Sequence, residues 1–304
     1  MFILPHNLAL VKKIQSKITP YLNEAPILSS DELKNKIGAA AVHLKIESLQ
    51  PSGSFKIRGT LAFLTSLKEG GYQGEVVTAS DSNHARALAL AAQLLGFNAR
   101  IFLPQTTSES IVSELESLGA RIETKGFSLS ESSEIAKIFC REEDLQFVPN
   151  GGNPMTLAGI ASSAQELLSY FALVERIGTI VLPIGSGGLA VGVAGLLKQE
   201  RPNCYIVGVQ SENICESPPT DKTGQLLDDI VDEVVTVSNQ NIEKAISFLF
   251  HKHHLVAEHA GALAVAALLD DKVSIHARHV TAYVTGGNIT AEQLTKNLSK
   301  DLIL

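Results

Sequence analysis

Short apolar runs rich in β-branched residues alternate along the chain with longer stretches of helical period. These runs predict strands at 41–46, 75–79, 100–104, 146–149, 179–184, 204–209, 233–237 and 280–284. The longer stretches predict helices at 83–95, 107–118, 155–170, 188–199, 240–252, 260–270 and 290–299. Strands that are apolar throughout and separated by helices are typical of parallel sheets covered on both faces, so the pattern predicts an α/β protein. Ligands of such sheets bind beyond the carboxyl ends of the strands, which makes the turns there the candidate binding segments.

The composition agrees with a globular enzyme and narrows the possible partners. The 304 residues suffice for two domains, and 45% of them are hydrophobic while 19% are charged. The net charge of −7 comes without a lysine or arginine block, so we expect neither a nucleic-acid partner nor an anionic membrane surface. No apolar run reaches the ~18 residues of a membrane span. Residues 1–18 predict an amphipathic helix and not a signal peptide, and we expect no regulatory module after the last residue.

The cysteines and histidines do not have the spacing of a metal site. Cys140, Cys204 and Cys215 are odd in number and lack a C-x-x-C pair, so we interpret them as reduced thiols of a cytoplasmic protein. The run HKHH at 251–254 has no cysteine or carboxylate at a matching spacing. We therefore interpret it as a solvated helix end, where positive charge suits the helix dipole, and expect no bound metal.

Two of the candidate turns carry an unexpected charge. SDSN at 80–83 connects a strand to a helix, where backbone N–H groups usually bind an anion, yet it contains the carboxylate of Asp81. QPSGSFKIRGT at 50–60 opens a helix with Lys56, although the helix dipole disfavours a positive charge in the first turn. Lys56 is therefore either a solvent-exposed lysine or a lysine whose amine is kept neutral and nucleophilic for catalysis.

The third turn, GSGG at 185–188, predicts a phosphate site between a buried strand and a helix. No Gly-Lys-Ser/Thr follows it, so it is not a nucleoside-triphosphate loop. Gly185, Gly187 and Ala190 fit the dinucleotide pattern G-x-G-x-x-A, but the next strand ends at the neutral Gln210, with Glu212 nearby, where that pattern requires an acid. A single phosphate monoester suits the short loop better, and a nucleotide-dependent oxidoreductase remains the alternative of another class.

Together with a fourth turn, these segments resemble the motifs of fold type II pyridoxal-phosphate enzymes, most closely the threonine/serine dehydratase and serine racemase group. The motifs occur in the family's order as SGSFKIRG (52–59), ASDSNHA (79–85), PIGSGGL (183–189) and VTGGN (284–288), and EHAGALA at 258–264 is similar to the family's E-P-A-G-A. The resemblance covers residues 25–288 and implies two open, mostly parallel sheets, each flanked by helices. It further implies a large cofactor-binding domain of 1–68 and 147–304, with a small domain of 69–146 inserted in it and carrying the Asn83 turn.

The resemblance also implies a role for each matched residue. Lys56 would form the Schiff base with pyridoxal 5'-phosphate and serve as catalytic base, with Phe55 packed near the cofactor. Asn83 would hydrogen-bond the cofactor's phenolic oxygen, and Thr285 would face its pyridine nitrogen. The cofactor phosphate would be held by Gly185, Ser186, Gly187, Gly188 and Leu189. The substrate carboxylate would be bound at the turn of Ser80, Ser82 and His84, with His84 orienting the turn.

The implied activity is that of a lyase acting on a small amino acid. A hydroxyl at the pyridine nitrogen cannot stabilise a full pyridinium as a carboxylate would, so Thr285 favours β-elimination over a long-lived carbanion. The resemblance thus implies a homodimeric ammonia-lyase that converts a β-hydroxy amino acid such as L-threonine or L-serine to a 2-oxo acid and ammonia.

Asp81 leaves several outcomes open. Its spacing to Asn83, His84 and Arg86 is similar to that in diaminopropionate ammonia-lyases. Asp81 could be a second catalytic base, in a serine racemase or in a diaminopropionate-type lyase. It could equally cap the helix that begins near Asn83, or pair with Arg86, and take no part in the chemistry.

Overall fold

The computed structural model describes residues 7–172, 177–213, 221–274 and 278–299, so Cys215 lies outside the described residues. The strands are β1 (Ile27–Ser29), β2 (Ala41–Ile46), β3 (Val76–Ala79), β4 (Ala99–Leu103), β5 (Arg121–Thr124), β6 (Gln146–Phe147), β7 (Thr179–Pro183), β8 (Tyr205–Ser211), β9 (Glu233–Val237) and β10 (His279–Val284). The α-helices are α1 (Leu8–Ile18), α2 (Asp31–Ile37), α3 (Lys56–Glu69), α4 (Asn83–Leu95), α5 (Glu109–Ser117), α6 (Leu129–Glu142), α7 (Pro154–Tyr170), α8 (Gly188–Glu200), α9 (Asp221–Ile230), α10 (Asn239–His253), α11 (Leu263–Leu269) and α12 (Ala291–Leu298). Short 3-10 turns occupy Thr19–Tyr21, Glu47–Leu49 and Ala260–Ala262.

The described strands form two sheets. The larger sheet has the order β1-β2-β10-β7-β8-β9, in which only the β1–β2 pair is antiparallel. The smaller sheet has the order β5-β4-β3-β6 and is parallel throughout. The predicted α/β class with two open, mostly parallel sheets is thereby confirmed. The smaller sheet uses residues between Val76 and Phe147, while the domain limits at 68/69 and 146/147 stay a prediction.

Each strand predicted from the apolar runs is present, and the sequence pattern missed the more polar elements. The short β1 and the strand β5, which reads RIET, keep most of their residues partly or fully exposed. The helices α2 and α6 bury only one and three residues, respectively, so their apolar stripe is narrow. The predicted helix at 260–270 is divided into a 3-10 turn and α11. None of the helices in the described ranges is long and apolar enough for a membrane crossing.

The start of α3 is fixed by buried charges from three elements. The Arg58 guanidinium donates to Glu47 Oε2 at 2.8 Å and to Glu166 Oε1 on α7 at 2.7 Å. Lys45 on β2 donates to the other Glu166 oxygen at 2.5 Å, and Ser163 on α7 donates to Glu47 at 2.5 Å. Two cations and two anions thus compensate each other inside the protein, as buried charges must. The network holds the first turn of α3, where Lys56 lies, against β2 and α7.

Close helix packing reinforces this position. A Cβ atom on Gly159 of α7 would lie 2.5 Å from the Arg58 carbonyl oxygen on α3. Only glycine permits that approach, so α3 and α7 pack backbone to backbone beneath the site.

Candidate active site

The turn before Lys56 is joined to the turn that follows β10. The backbone N–H of Phe55 donates to the Thr285 carbonyl oxygen at 3.1 Å, and Ser54 forms an isolated bridge with Gly286. Both segments follow the carboxyl ends of neighbouring parallel strands, β2 and β10. The sequence-predicted lysine and the sequence-predicted threonine therefore belong to one hydrogen-bonded unit.

The Lys56 amine is held inside the protein. Its Nζ donates to Asn150 Oδ1 at 2.7 Å and lies 5.0 Å from the centroid of the Phe55 ring. The side chain is partly buried. This arrangement differs from that of a surface lysine directed into solvent.

Asn150 was missed by the sequence analysis. It is followed by Gly151 and Gly152, both with positive φ, which form the tight turn between β6 and α7. A Cβ on Gly151 would lie 3.8 Å from both Gly188 Cα and Ser186 Oγ, so this turn rests on the predicted phosphate loop. The NGG triplet is a turn signal, but its contact with Lys56 arises only in the folded chain.

The loop at 185–188 has the shape of an anion site. It leaves the end of β7, Gly187 adopts φ +82°, and α8 begins at Gly188 without an acidic residue in its first turn. Among the described residues, no backbone carbonyl oxygen accepts a hydrogen bond from the N–H groups of Ser186, Gly187 or Gly188. Free N–H groups at a helix N-terminus bind phosphate, so a phosphate monoester fits the loop. Leu189, the last predicted member, is buried in the first turn of α8.

The Asn83 amide is oriented by neighbours on both sides. Its Nδ2 donates to Glu258 Oε1 at 2.5 Å, and its Oδ1 accepts from Asn288 Nδ2 at 2.6 Å. Asn288 Nδ2 also donates to the Ser52 carbonyl oxygen at 2.9 Å. One N–H of Asn83 therefore remains for an acceptor such as a phenolic oxygen.

Glu258 is the second residue whose side-chain role the sequence analysis missed. Burial of the carboxyl group raises its pKa to about 7, while the hydrogen bond from Asn83 and the charges of Arg86 and Lys56 act in the opposite direction. A carboxyl group with this pKa changes its charge near neutral pH.

The turn at 80–84 brings the predicted substrate-binding residues together. Ser80 Oγ and Ser82 Oγ lie 3.2 Å apart, and Ser80 is buried whereas Ser82 is exposed. The buried His84 donates from Nε2 to the Val148 carbonyl oxygen at 3.1 Å. Burial, helped by the charge of Lys56, lowers the His84 pKa to about 4, so the ring is neutral at physiological pH.

Asp81 is not used as a helix cap. The N-cap position of α4 is occupied by Ser82, and Arg86 donates to both Glu114 oxygens at 2.6 Å. Among the described residues, the partly buried Asp81 carboxylate has no hydrogen-bond or ion-pair partner. Both structural interpretations of Asp81 therefore disagree with the structure, and its catalytic role stays a prediction.

Thr285 lies next to this group of residues. Its side chain is 4% exposed, and Oγ1 donates to the Ala260 carbonyl oxygen at 3.4 Å. A neutral pyridine nitrogen can only accept, so the hydroxyl would have to turn its proton from Ala260 toward that nitrogen, and this contact stays a prediction.

The HKHH run lies at the end of α10, as expected for a helix end. His253 shares a hydrogen bond with Ser30 Oγ at 3.0 Å, and His251 contacts Ser247 within the helix. Within the described ranges, no three His, Cys, Asp or Glu residues are placed to hold a metal ion.

Comparisons with known proteins extend along nearly the whole chain. A family model described as "Pyridoxal-phosphate dependent enzyme" matches residues 18–286. A catabolic L-threonine dehydratase of Staphylococcus aureus is 29% identical over 307 residues, covering 92% of this chain and 88% of the relative. The solved structure of maize serine racemase superposes with a TM-score of 0.88 at 26% identity, covering 97% of each chain. The processed threonine deaminase isoform 2 of Solanum lycopersicum has a TM-score of 0.85 at 25% identity, covering 95% of this chain and 86% of that one.

Proposed function

This chain belongs to the family of pyridoxal-phosphate-dependent enzymes, and we propose that it is an ammonia-lyase converting a β-hydroxy amino acid to a 2-oxo acid and ammonia. L-Threonine and L-serine are the expected substrates. The threonine dehydratase and threonine deaminase similarities support this reaction. The nucleotide-dependent oxidoreductase alternative is not retained, because the family to which the chain belongs uses pyridoxal phosphate and not a nucleotide.

One observation carries the proposal. The hydrogen bonds between the turns of Lys56, Thr285 and Asn83 place a lysine amine, a hydroxyl and an amide around the carboxyl ends of β2, β10 and β3. These groups are suited to the imine, the pyridine nitrogen and the phenolic oxygen of a pyridoxal ring, respectively. The glycine loop at the end of β7 adds the phosphate site.

Each of the predicted residues has a task in this site. Gly185, Ser186, Gly187, Gly188 and Leu189 would hold the cofactor phosphate, and Phe55 would pack against the ring. When bound, pyridoxal phosphate withdraws electrons from the α-carbon of an attached amino acid. Lys56 then takes the α-proton at Nζ as general base, with Asn150 placed to accept a hydrogen bond from that amine.

The hydroxyl of Thr285 sets the reaction type. A neutral hydroxyl at the pyridine nitrogen gives a weaker electron sink than a carboxylate, so loss of the β-substituent is favoured. The substrate carboxylate would bind at Ser80 and Ser82, while neutral His84 holds this turn on the Val148 carbonyl group without transferring protons.

A second candidate activity rests on Asp81. Its carboxylate is partly buried and unpaired among the described residues, beside the turn that would receive the substrate. A carboxylate in that position could exchange a proton as the second base of a serine racemase, or face the extra ammonium group of a diaminopropionate-type substrate.

The proposal extends to a cytoplasmic homodimer. The buried thiols of Cys140 and Cys204 are free, and burial raises the pKa of each to about 11, which suits unreactive thiols of a reducing compartment. Light scattering of the purified protein should give twice the mass of the 304-residue chain.

A visible absorbance band tests the cofactor site directly. Adding pyridoxal phosphate to the purified protein should produce the band of a lysine Schiff base, and Lys56→Ala should abolish it. Lys13→Ala, which changes an exposed lysine of α1, is the matched control and should keep the band. A wild-type protein without the band would contradict the proposal. Oxo-acid release from serine, threonine, 3-hydroxyaspartate and 2,3-diaminopropionate then identifies the substrate.

A further inference from the structure

A chain of hydrogen bonds with one fixed direction runs from Ser52 to Glu258. The Ser52 carbonyl oxygen can only accept, so the Asn288 atom that faces it is the amide nitrogen. The same nitrogen donates to Asn83, which must therefore present its oxygen to Asn288 and its nitrogen to Glu258. The direction of these hydrogen bonds requires that Glu258 Oε1 act as an acceptor.

Two glycines make room for this chain. A Cβ on Gly286 would lie 2.0 Å from Glu258 Oε1 and 3.2 Å from Asn83 Nδ2. A Cβ on Gly53 would lie 2.1 Å from Asn288 Oδ1. Non-bonded contacts of 2.0 and 2.1 Å do not occur in proteins, so a side chain at either glycine would displace these hydrogen-bonded residues.

The backbone around Glu258 is fixed as well. Its N–H donates to the Gly286 carbonyl oxygen at 3.0 Å, and its carbonyl oxygen accepts from Ala262 N at 3.0 Å. The carboxyl group has little freedom to leave Asn83 when its charge changes. Its protonation state is therefore transmitted to the Asn83 amide.

We propose that Glu258 is a positioning residue, which holds the Asn83 amide toward the bound cofactor when it is ionised and weakens that hold when it takes up a proton. The inference rests on the proposed function, in which Asn83 faces the phenolic oxygen of the cofactor. An ionised carboxylate accepts at both oxygens, whereas a protonated one keeps fewer acceptor sites and forms a weaker bond with an amide.

The charged groups around Glu258 set where this change occurs. Arg86 on α4 and the amine of Lys56 on α3 face it and favour its ionised form, whereas burial opposes ionisation and dominates, giving a pKa of about 7. When Lys56 is used to hold the cofactor, its ammonium charge would no longer favour ionised Glu258, so the pKa of Glu258 in the loaded enzyme should lie at or above this value. The spectrum of the loaded enzyme should therefore report the titration of Glu258 through Asn83.

The test is a pH titration of the visible absorbance of the loaded enzyme. Wild type should show a spectral midpoint at or above neutral pH that Glu258→Gln loses, while the variant keeps its Lys56-dependent band. Glu292→Gln, at an exposed position in the first turn of α12, is the matched control and should keep the midpoint. An unchanged midpoint in Glu258→Gln overturns the inference but leaves the proposed function intact, whereas a wild type without any band overturns both.

Glu258→Asp provides a second test if the glutamine variant does not fold, as judged by circular dichroism. The shorter side chain keeps a titratable carboxyl group but withdraws it from Asn83, so the spectral midpoint should move. A midpoint identical to that of wild type would show that Asn83 does not transmit the charge of residue 258.

Discussion

Lys56 Nζ donates a hydrogen bond of 2.7 Å to Asn150 Oδ1, across 94 residues of sequence. The asparagine lies in the glycine turn that rests on the phosphate loop. The amine that would bind the cofactor is thus linked, through a single turn, to the loop that would hold the phosphate.

Asn150→Ala should slow the loading of the cofactor. The Lys56 amine then loses this contact, and a hydrogen bond to a charged group contributes about 1.5–3 kcal/mol, so we expect loading to slow about 10- to 150-fold. Stopped-flow recording of the visible band after addition of pyridoxal phosphate measures this rate.

Asn153→Ala is the control from the same loop. Asn153 caps α7 by accepting a hydrogen bond from Met155 N at 2.8 Å. Its replacement should lower the free energy of unfolding by about 1 kcal/mol and leave the loading rate unchanged. Equal loading rates in both variants would show that Asn150 only shapes the loop.

Gly187→Ala should weaken cofactor binding by at least about tenfold. Alanine is strained at φ +82°, and its Cβ would lie 2.7 Å from Thr223 Cγ2, so the loop would have to move. Gly71→Ala is the matched control, because Gly71 has the same φ of +82° but no atom within 4 Å of an added Cβ. Fluorescence titration with pyridoxal phosphate should give a wild-type affinity for Gly71→Ala, and a similar loss in both variants would contradict a phosphate role for the loop.

The sequence predicted those parts of the site that depend on local patterns. The apolar strands, the glycine loop, Lys56 and Asn83 each lie in a continuous motif, so their positions at strand ends follow from the alternation of strands and helices. Asn150 and Glu258 could not be predicted in the same way, because each acquires its partner only in the folded chain, 94 and 175 residues away. The strand β5 was not predicted for a different reason, because its largely exposed RIET sequence lacks an apolar run.

Glu47→Gln should destabilise the protein by about 3–5 kcal/mol. The substitution leaves the buried cations Arg58 and Lys45 with Glu166 as their remaining anion, and breaking a buried pair carries a cost of this size. Urea unfolding measures the change. Glu114→Gln, which removes a partly exposed partner of Arg86, should cost less than about 1 kcal/mol.

The same network should make the protein sensitive to acid. Burial raises the pKa of Glu47, but the charges of Arg58 and Lys45 outweigh it and hold this pKa below its ordinary value. A carboxylate whose pKa is lowered by folding stabilises the folded state at every pH above its pKa in the unfolded chain, about 4.3. This contribution is lost as the pH falls below that value toward the pKa in the folded protein. Wild type should therefore lose stability more steeply than Glu47→Gln below about pH 4.3, and parallel pH profiles of the two proteins would rule out this origin.

Asp81→Ala separates catalysis from helix capping. Because Ser82 occupies the N-cap position and Asp81 has no partner among the described residues, the free energy of unfolding should change by less than about 0.5 kcal/mol. Ser128 is the N-cap of α6, and its side chain accepts a hydrogen bond from Glu131 N. Ser128→Ala removes this bond and should lower the free energy of unfolding by about 1 kcal/mol. If Asp81 is the second base, turnover of D-serine should fall in Asp81→Ala while the Lys56-dependent absorbance remains. Unchanged D-serine turnover would exclude Asp81 as a catalytic base and leave Lys56 in that role.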